Sequence, residues 1–155
     1  MPSVDLLDAL LGVATRLAAD AAALLVDGLE RPRTSVGTKS TSTDMVTEMD
    51  RASEALILER ITATRPDDAV LGEEGTDRIG TSGVRWVIDP IDGTTNYVYG
   101  HAGFAVSIAA QFGDETTIGV VHDPLHGDVF AALRGHGATP HRATIRCPAA
   151  TDTPP

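Results

Sequence analysis

The sequence predicts an α/β fold, a layered sandwich in which two N-terminal helices pack on a largely antiparallel sheet. Three observations lead to this prediction. Apolar residues recur at three- and four-residue spacing in residues 3–30, the period of an amphipathic helix. A second helical stretch follows Thr47, and short apolar runs separated by turn residues begin at Val84. The 155 residues suffice for one domain with a buried core.

The first element is an amphipathic helix that ends near Gly28, since Pro32 follows. Its apolar stripe consists of Leu7, Leu10, Leu11, Ala14, Leu17, Ala18, Ala21, Leu24 and Leu25. Asp8, Arg16 and Asp20 lie largely off that stripe and interrupt the apolar stretch, so we expect no membrane span. The acidic start lacks the positive region of a signal peptide, and a cytoplasmic location is expected.

The second helix is expected to start after Thr47 and to end before Pro66, following a hydroxyl-rich loop or short strands in residues 33–47. Its predicted inner face comprises Ala52, Ala55, Leu56 and Ile61. Strands are predicted at residues 69–71, 84–88, 105–112, 117–121 and 129–133. Turn residues at positions 113–114 and 123–127 favour an antiparallel meander for the last three strands.

Composition narrows the possible functions. The formal net charge of -10 argues against non-specific binding to nucleic acid or anionic membranes, which both reward clustered Lys and Arg. An anionic substrate would then need metal ions or backbone N–H groups as its positive partner. Cys147 is the single cysteine, so an intramolecular disulfide is impossible and a reducing compartment is favoured.

The most informative segment spans residues 86–97. An apolar strand is expected to end at Asp89, because Pro90 prevents continued sheet pairing. Asp92-Gly93 then forms a tight turn, and a helix begins at one of residues 94–96. This geometry places Asp89 and Asp92 at the rim of the sheet. It also directs the N–H groups of Gly93 and Thr94 into the same cleft, which suits a phosphate.

A second pair of acids, Glu73 and Glu74, follows another strand end and can enter that cleft. Two carboxylates ~4 Å apart repel by about 4 kcal/mol at an effective dielectric of 20, so such a cluster requires protons or cations. Hard oxygen ligands without His or Cys favour magnesium, manganese or calcium over zinc. Asp-Pro and Asp-Gly are also ordinary turn dipeptides, so each acid taken alone is more often structural.

Residues 89–96, Asp-Pro-Ile-Asp-Gly-Thr-Thr-Asn, resemble the first signature of the inositol monophosphatase family, within the magnesium-dependent, lithium-sensitive phosphatase superfamily. Residues 71–75, Leu-Gly-Glu-Glu-Gly, are similar to the family's Gly-Glu-Glu element. Residues 39–50 resemble its upstream lysine and Asp-x-Val-Thr-x-x-Asp run. The resemblance covers roughly residues 5–147 in consistent order.

The resemblance implies roles for ten positions. Two or three Mg²⁺ ions would be held by Glu73, Asp89, Asp92 and the backbone carbonyl of Ile91, with Glu74 as a supporting acid. Glu73, Thr94 and Asp50 would be catalytic, the last two by orienting and deprotonating a metal-bound water. The substrate would be contacted by Lys39, Gly93, Thr94 and Thr95. Asp50 also has a structural interpretation, because residues 47–50 resemble a capping box at a helix start.

The implied activity is magnesium-dependent hydrolysis of myo-inositol monophosphate to inositol and phosphate by metal-activated water. Alternatives within the resemblance are fructose 1,6-bisphosphate, histidinol phosphate or adenosine 3′,5′-bisphosphate as substrate, and homodimerisation is possible. The family's second signature, Trp-Asp-x-Ala-Ala-Gly, is not found, since Val87 follows the single tryptophan, Trp86. We therefore expect a truncated chain without the C-terminal domain: an N-terminal domain at 1–147 and a disordered or cut tail at 148–155. Such a chain could also be a non-catalytic metal-binding fragment.

Haloacid-dehalogenase phosphatases are a rival class, with an Asp-x-Asp-Gly-Thr motif and a phospho-aspartate intermediate. Here Pro90 and Ile91 separate the two acids, and in an extended segment the extra residue changes the face of the second acid. This difference favours metal-activated water over an aspartyl nucleophile.

Other candidate residues carry weaker signals. His122 and His126 are predicted to be exposed turn residues rather than metal ligands, since Pro124 lies between them. Tyr97 and Tyr99 either cover the substrate cleft or pack under a loop.

Overall fold

The computed structural model describes residues 2–30 and 42–140. Within them lie the helices α1 (Val4–Glu30), α2 (Ser42–Thr64) and α3 (Thr94–Tyr99). The strands there are β1 (Ala69–Gly72), β2 (Asp77–Arg78), β3 (Val84–Asp92), β4 (Ala105–Phe112), β5 (Glu115–Asp123), β6 (Asp128–Leu133) and β7 (Gly137–Pro140). Helices on a largely antiparallel sheet confirm the predicted fold class. Lys39, Cys147 and the predicted tail at 148–155 lie outside the described residues.

The strands form one seven-stranded sheet in the order β2-β1-β3-β4-β5-β6-β7. From β3 to β7 each strand pairs antiparallel with the next, and the turn residues predicted this pairing for β4, β5 and β6. The pair β1–β3 is parallel, with Gly72 opposite Ile88. The carboxyl ends of β1 and β3 therefore meet at the same edge of the sheet.

Helix α1 packs along β4 and β5 and against α2, which covers β3. The predicted stripe of α1 is confirmed: Leu10, Ala14 and Leu25 are fully buried, and only Leu11 and Leu24 of its members are half-buried. By length and composition alone α1 is apolar enough to cross a membrane. Its apolar stripe instead faces the sheet, where Trp86 and Ile108 lie beneath the helices.

Helix α2 begins at Ser42, earlier than predicted, so the capping-box interpretation of residues 47–50 is wrong. Asp50 lies inside the helix and is buried. The predicted inner face is also wrong in part, because Ala52 and Ala55 are exposed. The buried positions of this stretch are Ser53, Glu54, Ile57 and Ile61. An apolar pattern could not reveal this face, since half of its buried residues are polar.

Strand β3 does not end at Asp89 as predicted but continues to Asp92. The register with β4 shifts between these residues, so Asp89 pairs with Ser107 and Asp92 with Ala105. The irregularity takes Pro90 out of the ladder, and its missing N–H then costs no pairing bond. The short strands β2 and β7, in polar and glycine-containing sequence, were not predicted.

The sheet face opposite the two long helices carries several exposed apolar side chains, among them Leu71, Val121 and Phe130. Cross-strand register places Val121 beside both Ser107 and Phe130, and Ser107 lies opposite Asp89. Because side chains alternate along strands, Asp89 and these apolar residues share one face.

Candidate metal and phosphate site

The parallel strands β1 and β3 bring two acidic segments together. Glu73 directly follows β1, and its N–H donates to the Ile88 carbonyl at 3.2 Å. This bond extends the pairing of β1 with β3 by one residue, so Glu73 lies next to Asp89. A groove of about 400 Å³ opens there; it is lined by Leu71, Gly72, Glu73, Val87, Ile88, Asp89, Ser107 and Ala109.

Asp89 is the innermost acid of this groove. Burial, a hydrogen bond shared with Glu73 and the charges of Glu73 and Asp92 raise its pKa from 3.8 to about 7. A hydrogen bond from the Ile91 N–H opposes part of this rise. The Oδ1 atom of Asp89 is buried and has no hydrogen-bond partner among the described residues. Such an orphaned carboxylate oxygen needs a proton or a cation to offset its desolvation.

Helix α2 adds a third segment to the site. Asp50 is only 7% exposed, and its pKa is raised to about 7 by burial and by the charges of Glu74, Glu73 and Asp89. The structure thus brings together side chains that are far apart in the sequence. We call Asp50, Glu54, Glu73, Glu74, Asp89 and Asp92 the acidic cluster.

Glu54 is the member of the acidic cluster that the sequence interpretation missed. It is 4% exposed and accepts the N–H of Glu74 at 2.8 Å. The signal that could have found it is spacing, because Asp50 and Glu54 lie four residues apart and hence on one face of a helix.

The turn after β3 is shaped by Gly93, whose φ of 84° is unfavourable for other residues. A Cβ there would also lie 2.5 Å from the Gly103 carbonyl oxygen. Helix α3 begins at Thr94, one of the three starts predicted. The Thr94 hydroxyl donates to the Ile91 carbonyl at 3.0 Å, so its proton is not directed at Asp50. Thr94 and Thr95 are exposed.

The residues of the acidic cluster fit a hard divalent cation in chemistry and charge. All donors are oxygens, the carboxylates repel one another, and Asp89 Oδ1 is an orphan. The Ile91 carbonyl keeps one lone pair beyond its bond with Thr94. In residues 2–30 and 42–140, however, no group of three or more His, Cys, Asp or Glu side chains is arranged to hold a metal ion. The acids of the cluster therefore lie close together, but their carboxylates are not arranged as a complete set of ligands around one metal ion.

The two histidines differ from each other. His126 is exposed, as predicted, and pairs through Nδ1 with Asp123 Oδ2 at 2.7 Å. The prediction that His122 is an exposed turn residue is wrong, because it lies in β5, is half-buried and lines one groove with Asp27 of α1. Burial lowers the pKa of His122, against an opposing effect of Asp123.

The two tyrosines also differ. Tyr97 is buried, donates its hydroxyl proton to the Leu25 carbonyl at 2.9 Å and packs edge-on against Phe104. The packing interpretation is thus confirmed for Tyr97. Tyr99 is exposed and stacks on His101.

The sequence model of the inositol monophosphatase family matches residues 6–154. The chain belongs to this family. Its members are generally magnesium-dependent. The family membership confirms the resemblance seen in the sequence and supports a phosphatase of this family.

Curated relatives and solved structures of the family align with almost the whole chain. Nus factor SuhB of Escherichia coli K12 is 38% identical over 144 residues, which are 92% of this chain and 54% of that protein. Nus factor SuhB of Pasteurella multocida is 42% identical over 130 residues, 83% of this chain and 49% of that protein. The chain therefore spans about half the length of these relatives.

The structural matches give the same result. Inositol monophosphatase II of Staphylococcus aureus superposes with a TM-score of 0.78 at 32% identity, covering 89% of this chain and 51% of that one. SuhB of Mycobacterium tuberculosis superposes with a TM-score of 0.74 at 39% identity, covering 90% of this chain and 52% of that one. The fold described above thus corresponds to about half of each of these inositol monophosphatase-type structures.

Proposed function

We propose that this chain carries the magnesium-binding part of a phosphomonoesterase site that hydrolyses myo-inositol monophosphate to inositol and phosphate. The observation that carries the proposal is the acidic cluster, in which acids from three chain segments lie close to one another and Asp89 Oδ1 is an orphan. In a chain with a formal net charge of -10, clustering so many acids is unfavourable unless a cation binds among them. The chain belongs to a phosphatase family whose members are generally magnesium-dependent, which supports Mg²⁺ as this cation.

In this proposal Glu73, Asp89, Asp92 and the Ile91 carbonyl hold Mg²⁺. When bound, Mg²⁺ supplies positive charge for the phosphate oxygens and makes a coordinated water more acidic. Asp50, buried beside Glu73 and Asp89, would accept a proton from the attacking water. The water oxygen forms the new bond to phosphorus and the bond to the inositol oxygen breaks. The inositol oxygen takes up a proton from solvent and leaves as the alcohol, and Asp50 returns its proton to solvent.

The phosphate would lie at the start of α3. The N–H groups of Gly93, Thr94 and Thr95 precede or open this helix, where backbone donors have no intrahelical partner. The Thr94 hydroxyl holds the Ile91 carbonyl in place. Lys39 is assigned as a positive neighbour from the sequence motif alone.

The choice of substrate rests on the relatives. One structure of the Staphylococcus aureus enzyme contains inositol monophosphate and another contains 2′-AMP. Both ligands are small phosphomonoesters, which supports that class for this chain. Fructose 1,6-bisphosphate, histidinol phosphate and adenosine 3′,5′-bisphosphate are the alternatives, and a cytoplasmic homodimer remains a prediction.

A second candidate function comes from the curated relatives, which carry the name Nus factor SuhB. We infer a Nus-factor role as the alternative to hydrolysis. Folded protein that neither binds magnesium nor releases phosphate would favour it.

The test combines magnesium binding by calorimetry with phosphate release from inositol 1-phosphate, each measured with and without Mg²⁺. Asp92→Asn is the site variant, and Asp114→Asn is the matched control, because Asp114 is exposed in the turn between β4 and β5. Binding and turnover that fail only in Asp92→Asn support the proposal. Binding without turnover supports the metal site and refutes hydrolysis by this chain alone. No binding by the wild type refutes the proposal.

A further inference from the structure

We propose that Glu54 is a positioning residue of the magnesium site. Its carboxylate holds the turn at residues 72–76 so that Glu73 faces Asp89. This inference rests on the proposed function, and it assigns a task to an acid that need not touch the metal or the substrate.

Within the residues that the structure describes, the hydrogen bonds of Glu54 are all with one turn. Its Oε2 accepts the N–H of Glu74 at 2.8 Å. Its Oε1 accepts the N–H of Thr76 at 3.2 Å and the hydroxyl of Thr76 at 2.5 Å. The turn is also closed by a bond from the Gly72 N–H to the Thr76 carbonyl at 2.7 Å. Glu73 thus lies between Gly72 and Glu74, and the hydrogen bonds of the turn and of Glu54 fix the backbone of both residues.

Gly72 allows the carboxylate to approach this closely. A Cβ on Gly72 would lie 2.4 Å from the carboxyl carbon of Glu54, well inside van der Waals contact. The side chain of Glu54 therefore packs directly on the backbone of the residue before Glu73. A shift of this carboxylate would move the start of the turn and, with it, the side chain of Glu73.

A carboxylate suits this task although its charge is unfavourable here. Glu54 is one of the charges that raise the pKa of Asp50, so it adds to the repulsion within the acidic cluster. Three donors nevertheless converge on it, and a carboxylate is the side chain that only accepts. The amide of a glutamine would turn its NH₂ group toward the N–H of Glu74 or Thr76. The turn would then lose bonds on the side that carries Glu73.

The test uses four variants of the full chain. Glu54→Gln keeps the shape and removes the charge, whereas Glu54→Asp keeps the charge and shortens the side chain. Thr76→Val removes one of the three bonds and is the milder change. Glu59→Gln is the matched control, since Glu59 is exposed on the same helix.

Two quantities are measured: the Kd for Mg²⁺ by calorimetry, and amide hydrogen exchange of residues 73–76 without metal. We expect Glu54→Gln and Glu54→Asp each to weaken Mg²⁺ binding by about tenfold or more, as is typical for groups that orient metal ligands. Thr76→Val should weaken it by a few-fold, and Glu59→Gln should not change it. Exchange should accelerate at Glu74 and Thr76 in both Glu54 variants.

Three results would overturn the proposal. A lower melting temperature of Glu54→Gln with an unchanged Kd would make Glu54 a purely structural residue. Wild-type binding by Glu54→Asp with weak binding by Glu54→Gln would mean that charge, not position, matters. Unchanged hydrogen exchange in Glu54→Gln would show that Glu54 does not hold the turn. This result can be read even if the wild type binds no Mg²⁺, an outcome that would refute the proposed function instead.

Discussion

Replacing Asp50 by Asn should stabilise the metal-free chain, and increasingly so as the pH rises. Asp50 is buried beside Glu74, Glu73 and Asp89, and its pKa in the folded chain is about 7 instead of 3.8. Between these values the folded state binds a proton that the unfolded state has released. The contribution of this proton to the stability of the folded chain is fully present below pH 3.8, the pKa of the unfolded state. It is lost as the pH rises through 7, the pKa of the folded state. Asn has nearly the same shape and carries no charge to bury.

The size of the effect follows from the shift in pKa. A rise of about three pKa units corresponds to roughly 4 kcal/mol between the two limits. The range from pH 5.5 to 8 covers about half of that interval. The free energy of unfolding of Asp50→Asn minus that of the wild type should therefore widen by about 2 kcal/mol across this range.

The assay is urea unfolding of both chains in EDTA at several pH values from 5.5 to 8. The difference between the chains is the quantity that matters, because groups that do not interact with Asp50 titrate equally in both. Asp114→Asn, an exposed change of the same kind, should follow the wild type at every pH. A difference that stays constant or narrows with rising pH would refute the placement of Asp50 among the acids.

The remaining predictions concern the metal, the core and the turn after β3. Mg²⁺ at 100 times its Kd should raise the free energy of unfolding by about 2.7 kcal/mol. At one fixed Mg²⁺ concentration this stabilisation should be smaller at pH 5.5 than at pH 8, which thermal melts can check. Tyr97→Phe, which loses a buried bond to the Leu25 carbonyl, should cost about 1 kcal/mol in urea. Trp86→Phe removes the 2.9 Å bond from Nε1 to Asp68 and should cost about 2–3 kcal/mol by the same assay. Gly93→Ala should weaken Mg²⁺ binding measurably in calorimetry, because it strains the turn that carries Asp92.

The sequence predicted the elements whose physics is local. The stripe of α1 and the antiparallel meander of β4, β5 and β6 follow from apolar spacing and turn residues, and both were confirmed. The start and inner face of α2 were predicted wrongly in part, because two of its buried residues, Ser53 and Glu54, are polar. Glu54 is buried where it accepts hydrogen bonds from Glu74 and Thr76. No apolar period encodes such a face, and only the fold shows which turn it meets.

For the site, the sequence predicted the acids but not their arrangement. Glu73, Asp89 and Asp92 were recognised from their motifs, whereas the continuation of β3 past Pro90 was not. A proline normally argues against sheet pairing, and the register shift that accommodates it depends on β4, a partner distant in sequence. The assigned roles of these residues remain predictions; their proximity is what the structure adds.

The single parallel pair within the described sheet explains why the acidic cluster exists at this place. Had β1 run antiparallel to β3, the residues after the two strands would lie at opposite edges, and Glu73 could not approach Asp89. The parallel register brings both strand ends to one edge, and α2 crosses that edge with Asp50 and Glu54. Each acid raises the cost of ionising its neighbours, so protons and cations compete for the same place. The topology that concentrates the charge thus also creates the need for the ion that the proposed reaction uses.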